Sequence, residues 1–211
     1  MAHQRDRRNR SQATREQTIG PFYPWAWLDD ARADLTFRHP ALVFRAQGQP
    51  IILRGRCFEN TGLRATLMIL EFWQPNANGI YRTPESQGDA RLDPHFDGYT
   101  RIVAPDGEFA LKTIMPGAQQ SANGVRAPNI TLTIFCDGVD RLVTQIFFDD
   151  QPENERDLLL ASLPGDLRPR LIAQRQRRAA NDIPVYDIDI RLSGDGETPF
   201  FDDLQGEASD D

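Results

Sequence analysis

Lysine is almost missing from this sequence. Of its 24 basic residues only Lys112 is a lysine, the others being arginine, a skew that reflects genome composition more than guanidinium chemistry. Histidine is nearly as scarce, with only His3, His39 and His95. There is no H-E-x-x-H, no cysteine pair at metal spacing, no G-x-S-x-G and no P-loop, so the common zinc, serine-hydrolase and phosphate-cradling signatures are excluded. The two cysteines, Cys57 and Cys136, each sit inside an apolar run. Buried free thiols in a reducing, cytoplasmic compartment are the expectation. No apolar run approaches the length of a membrane span, and no period suggests a repeat architecture. Basic residues do not outnumber the 31 acidic ones, and the net charge of −7 argues against nucleic acid as the main partner.

What is present is an ordinary globular composition, 39% hydrophobic and 26% charged over 211 residues, which fits one domain with arms. Short apolar runs separated by turn signals dominate. Strands are expected at 50–58, 65–74, 99–104, 108–115, 129–136, 141–148 and 185–192, with "PDG" at 105–107 and "DG" at 137–138 as tight turns. Helix is expected only at 153–163 and 165–180. That pattern predicts an all-β chain, an antiparallel β-sandwich with a short helical insertion and a long irregular N-terminal arm. The expected division is a disordered basic tail at 1–13, the arm at 14–50, the sandwich at 51–203 and an acidic tail at 204–211.

Two long irregular stretches, 14–50 and 75–98, interrupt this scheme, and segments of that length carry function or contacts with another chain. The first contains "REQTIGPFYPWAW", four aromatics, two prolines and a glycine without helical or strand period. Residues alone supply no catalytic constellation. Asp149–Asp150 and Asp187/Asp189 are expected to be strand-end or outward-facing carboxylates rather than acid–base pairs.

Four stretches, "LEFWQPNANGIYRTP" (70–84), "LDPHFDGYTRI" (92–102), "PDGEFALKTIMPG" (105–117) and "APNITLTIF" (127–135), resemble the intradiol ring-cleaving dioxygenases, in order and without a large gap. In that family a ferric ion is held by two tyrosines and two histidines, hard anionic phenolate oxygens favouring the ferric state. The resemblance places these four positions on Tyr81, Gln119, Asn129 and Thr131, so three of the four donors are expected to be absent and no metal to be bound here. Arg126 falls where catalytic members carry an arginine near the ring-opening intermediate; a pairing or surface arginine is the plainer reading. Tyr81 has a plain reading too, as a packed tyrosine whose hydroxyl is bonded locally.

Two-chain members of the family pair an iron-free subunit with a homologous β chain that carries Fe(III), and the segments "QTIGPFYP" and "YDIDIRLSGDGETPFFD" resemble the former. The resemblance implies that residues 14–50 pack on this β subunit, with Thr18, Gly20, Pro21 and Phe22 lining the pocket for a protocatechuate-like (3,4-dihydroxybenzoate) substrate. It further implies a higher oligomer of αβ units, with neither nucleic acid nor membrane as partner. Asp137 stands where the resemblance leads one to expect an arginine facing the substrate carboxylate; either Arg141 replaces it or the acid specificity lies in the β chain. A different class also fits the sequence, a metal-free β-sandwich module that binds an aromatic or sugar ligand without turnover. A single-chain intradiol enzyme is disfavoured, since it needs all four donors.

Overall fold

A computed structural model describes residues 33–37, 45–121, 124–136, 140–177 and 182–201. Both tails and Thr18, Gly20, Pro21, Phe22, His39 and Asp137 lie outside these residues. Alternation of apolar and polar residues builds the strands. In β1 (Pro50–Phe58), Ile51, Leu53 and Cys57 point inward while Arg54 and Arg56 point out. The same period of two runs through β3 (Tyr99–Ala104), β4 (Glu108–Ile114), β7 (Asn129–Cys136) and β10 (Val185–Arg191), while β2 (Met68–Trp73) opens and β8 (Asp140–Phe148) closes on three consecutive buried residues.

Eight strands form one sheet in the order β3-β2-β7-β8-β9-β10-β1-β4, where β9 is Ile172–Arg175. This sheet folds over so that β3-β2-β7-β8 faces β10-β1-β4. Leu70, Leu132 and Ile146 from one half, and Leu53, Leu111 and Ile190 from the other, share a single core. A separate hairpin joins β5 (Gln119–Ser121) to β6 (Gly124–Arg126). The chain is thus a mostly β sandwich, as its alternation predicts. Most pairings are antiparallel, but β1 with β10 and β8 with β9 are parallel.

The helical expectation needs correction. Residues 153–163 contain a 3-10 turn (Pro152–Arg156) and one short helix, α1 (Leu158–Ser162), split by the capping residue Asp157. The longer helix expected at 165–180 does not form over the described residues 165–177. Its start is a 3-10 turn, Arg168–Leu171, with Pro169 lacking the N–H that a helix interior needs. Strand β9 follows, with Ile172 and Ala173 in register with Phe147 and Phe148 of β8, and Gln174 and Arg175 in register with Asp187 and Tyr186 of β10. A weak local helical preference yields to backbone pairing on both sides. At this junction Asp150 accepts hydrogen bonds from the Tyr186 hydroxyl (2.9 Å) and the Arg175 guanidinium (2.8 Å), so it anchors strand ends.

The outer face of β7 and β8 is covered. Leu160 and Leu171 from the insertion pack with Ala127 and Phe147, and Phe201 joins them from the chain's end. Residues 75–98 form the other cover. Asn76 holds this loop by accepting from the N–H groups of Asn78 (2.9 Å) and Ile80 (3.0 Å) and donating to the Arg91 carbonyl (2.8 Å). Buried Gln74 ties the loop's root to the opposite half, accepting from Thr113 (2.8 Å) and donating to the Ile114 carbonyl (3.0 Å). This is where the chain's candidate site lies.

Candidate functional site

Trp73, Thr131 and Gln145 form one rung across β2, β7 and β8. Their side chains emerge on the outer face, Trp73 at its edge still 41% exposed, because Phe72, Leu132 and Ile146 beside them point into the core. Tyr81 descends onto this rung from the 75–98 loop, its ring 4.4 Å from that of Trp73 and inclined at 42°. The loop reaches so low because two glycines let backbones touch. A Cβ on Gly79 would lie 2.3 Å from the Ala118 carbonyl oxygen, and one on Gly117 would lie 2.3 Å from that of Ala77. The "NG" and "PG" steps thereby bring Gln119 beside Tyr81.

The Tyr81 hydroxyl exchanges hydrogen bonds with the side chains of Gln119 and Thr131. Burial pushes the phenol above its usual ionisation range; nearby Arg126 and these two hydrogen bonds oppose that shift without reversing it. Tyr81 therefore keeps its proton at neutral pH. Asn129 lies two residues from Thr131 on the same strand face but turns to its own backbone, donating to the Ala127 carbonyl at 2.7 Å. Its Oδ1 is buried without a hydrogen-bond partner.

Arg126, paired in register with Gln119 across β5 and β6, donates from Nε to Asp157 (3.0 Å) and from a terminal nitrogen to Gln145. Asp157 is fully buried and fully engaged. One oxygen caps α1 by accepting from the Leu159 and Leu160 N–H groups, both at 2.9 Å; the other accepts from the Ala127 N–H (2.7 Å) and Arg126. The helical insertion and the site are thus locked through one carboxylate.

Of the positions singled out in the sequence, Tyr81 meets both Gln119 and Thr131. Arg126 adjoins them. Asn129 shares the strand but bonds elsewhere. Arg141 stands opposite Phe135, four residues along β8 from Gln145, or about 13 Å up the sheet. Sequence reasoning gave no role to Trp73, Gln145 or Asp157. An aspartate directly before "LLLAS" is a legible cap signal, and Gln145 has the outward parity of its strand, but their meeting with Arg126 is non-local.

As a donor set, a protonated phenol, two amides and a hydroxyl do not fit a ferric ion, which calls for anionic oxygens and imidazoles. Among the described residues no three His, Cys, Asp or Glu side chains gather as a metal site.

A family model described as Dioxygenase (Dioxygenase_C) matches residues 27–194. The chain belongs to the intradiol dioxygenase family. It is 32% identical over 161 residues to the protocatechuate 3,4-dioxygenase alpha chain of Pseudomonas putida, covering 74% of this chain and 78% of that one. It is 34% identical over 159 residues to the protocatechuate 3,4-dioxygenase beta chain of Burkholderia cepacia, covering 72% and 68%. Among solved structures it resembles the dioxygenase domain of a dioxygenase–carbohydrate-binding protein fusion from Streptomyces sp. SirexAA-E, with TM-score 0.57, 23% identity, and coverage of 77% and 87%. That likeness speaks for the fold. Similarity to both chain types accords with a family in which two homologous chains share one sandwich.

Proposed function

We propose that this chain is the iron-free α-type subunit of a protocatechuate 3,4-dioxygenase, a cytoplasmic oxidoreductase of aromatic-compound catabolism. A homologous β subunit holds the Fe(III), and the αβ pair opens the ring of protocatechuate with O₂ to give 3-carboxy-cis,cis-muconate. The observation that carries this reading is the state of Tyr81. Its hydroxyl is committed to Gln119 and Thr131, its proton is held by burial, and no group of three His, Cys, Asp or Glu side chains gathers as a metal site among the described residues. A family scaffold with such a centre serves the reaction by shape.

On this reading the chain's own contribution is a wall. Thr18, Gly20, Pro21 and Phe22 reach the substrate pocket of the partner: the glycine permits close backbone approach, the proline fixes direction and the phenylalanine excludes water. The similarity to alpha chains supports the assignment, as does the similarity to a beta chain, since the partner is expected to be a homologue.

Expressing the chain alone and together with a neighbouring β chain tests the proposal. Alone it purifies colourless and without stoichiometric iron. The pair shows tyrosinate-to-iron absorption and consumes protocatechuate. Iron-dependent colour or ring opening by this chain alone overturns the assignment.

A further inference from the structure

The opposite face of the sandwich offers a second surface. On β1, Arg54 and Arg56 point outward; beside them on β10, in register, stand Asp187 and Asp189. Arg54 grips Asp187 with two hydrogen bonds of 2.8 Å, and Arg56 grips Asp189 with bonds of 2.9 and 3.0 Å. Arg56 also lies 5.6 Å above the ring of Phe58, which Arg191 approaches at 5.3 Å from its own position. The side chains are therefore held in place, yet they stay open, Arg56 at 55% and Asp189 at 43% exposure. With Glu108 and Ala110 of β4 they line a shallow trough of about 530 Å³.

Two features set this surface apart from an ordinary solvated sheet. Bidentate arginine–carboxylate pairs hold both rows in fixed geometry, and the outer face of the β1–β10 pair is bare among the described residues. The charges of two successive rungs are also sorted, Arg54 and Arg56 on one strand against Asp187 and Asp189 on the next, with Arg191 beyond them on β10 beside Phe58. A uniformly charged partner, such as a polyanion or a lipid surface, gains at one row and loses at the other. The row spacing, one strand separation or about 4.8 Å, suits a partner carrying the same two rows.

We propose that this face is a contact surface for a second copy of the chain, related by a two-fold axis running along the strands between β1 and β10. That operation keeps strand height and exchanges left for right, so Arg54 and Arg56 of one copy come over Asp187 and Asp189 of the other. Self-complementarity of this kind is what an isologous interface requires. The proposal rests on the sheet face alone and is independent of the reading of the Tyr81 site.

Sedimentation of the full chain tests it. The wild type is expected to dimerise at about 50 mM salt and to dissociate progressively towards about 1 M, where exposed charges are screened. R54E/R56E makes both rows acidic and D187R/D189R makes both basic; each alone is expected to weaken association by about a hundredfold. An equimolar mixture of the two variants regains dimers. The swap R54D/R56D/D187R/D189R keeps every pair within the chain and keeps dimerisation, which separates the interface from any effect on folding. A wild type that is monomeric at low salt, or an R54E/R56E variant that is folded by circular dichroism and still dimerises as the wild type does, overturns the proposal.

Discussion

The two outer faces of the sandwich are made by the same alternation of residues and end in opposite conditions. Over β2, β7 and β8, a loop, a hairpin and a helical insertion close down, and the polar side chains of Thr131, Gln145 and Asp157 bond across segments, while Asn129 Oδ1 is left without a partner. Asp157 takes four donors from two segments, and Tyr81 is shared between Gln119 and Thr131. Over β1 and β10 nothing among the described residues closes down, and the polar side chains repeat rung by rung. Cover converts polar groups into structural joints, because a buried group without its partner is penalised in full. An open face leaves water as a substitute. The covered face therefore cannot change one residue without disturbing several segments, while the open face can change freely unless another molecule uses it.

The strongest test of that contrast is Asp157→Ala. It removes the cap of α1, leaves the Ala127 N–H without its acceptor and strips the carboxylate from Arg126, whose remaining partner here is Gln145. Loss of one member of a buried, hydrogen-bonded charge pair costs about 3–5 kcal/mol. Urea unfolding should show a fall of that order, with the insertion losing protection from hydrogen exchange first. A fall below about 1 kcal/mol would mean that the insertion docks through Leu160 and Leu171 alone.

That joint also marks the limit of what the sequence discloses. Strand positions are legible where burial follows a period of two that the strand carries locally; 50–58, 99–104 and 129–136 match β1, β3 and β7 residue for residue. Strand β9 is not legible, since "IAQR" has no strand period and is fixed by neighbours 25 residues before and 11 to 13 after it. The parallel partnership of β1 with β10 is equally hidden, because its strands lie at opposite ends of the described chain. At the site, resemblance to a family supplies Tyr81, Gln119 and Thr131, whereas Asp157 and Gln145 matter only through the folded meeting with Arg126. Thr18, Gly20, Pro21 and Phe22 belong to the proposal for the partner's pocket.

Between the two faces lies the core, and Cys57 reports on it through pH. Burial above all, with Cys136 and Asp189 adding to it, pushes this thiol from its usual 9.0 up to about 12. The folded chain keeps the proton where the unfolded chain releases it. Stability is accordingly full below pH 9 and is lost as pH rises towards 12, by about 1.4 kcal/mol per unit. From about pH 10 upward Tyr81 and Tyr186, both raised by burial, steepen the fall in the same direction. Urea midpoints recorded from pH 8 to 10, before the tyrosines contribute, should therefore decline more steeply in the wild type than in Cys57→Ala, whatever the offset between the two. An equal slope in both proteins would place the titration elsewhere.

Tyr81→Phe probes the covered face more gently. The ring remains against Trp73, and the change removes one hydroxyl from Gln119 and Thr131, a loss of about 1 kcal/mol. In the co-purified αβ complex the iron content should be unchanged, because on the proposed reading this oxygen is no ligand. Loss of iron in the variant complex would contradict that reading while leaving the stability argument intact.

The smallest effect belongs to the open face. Arg54→Ala removes both hydrogen bonds to Asp187, whose geometry is as good as any in the molecule, yet the pair is exposed at 44% and 39%. Water replaces what the guanidinium gave, and exposed pairs of this kind contribute less than about 1 kcal/mol. The variant monomer should unfold within that margin of the wild type, a difference to be read from urea midpoints at high salt, where any dimer has dissociated. The same substitution examined at low salt should cost more, since there it also removes a cation from the proposed two-fold contact. A difference between the two salt conditions assigns the arginine to association; equal and substantial losses in both would show that the bare sheet depends on its ion pairs as heavily as the covered one depends on Asp157, and the contrast between the faces would fail.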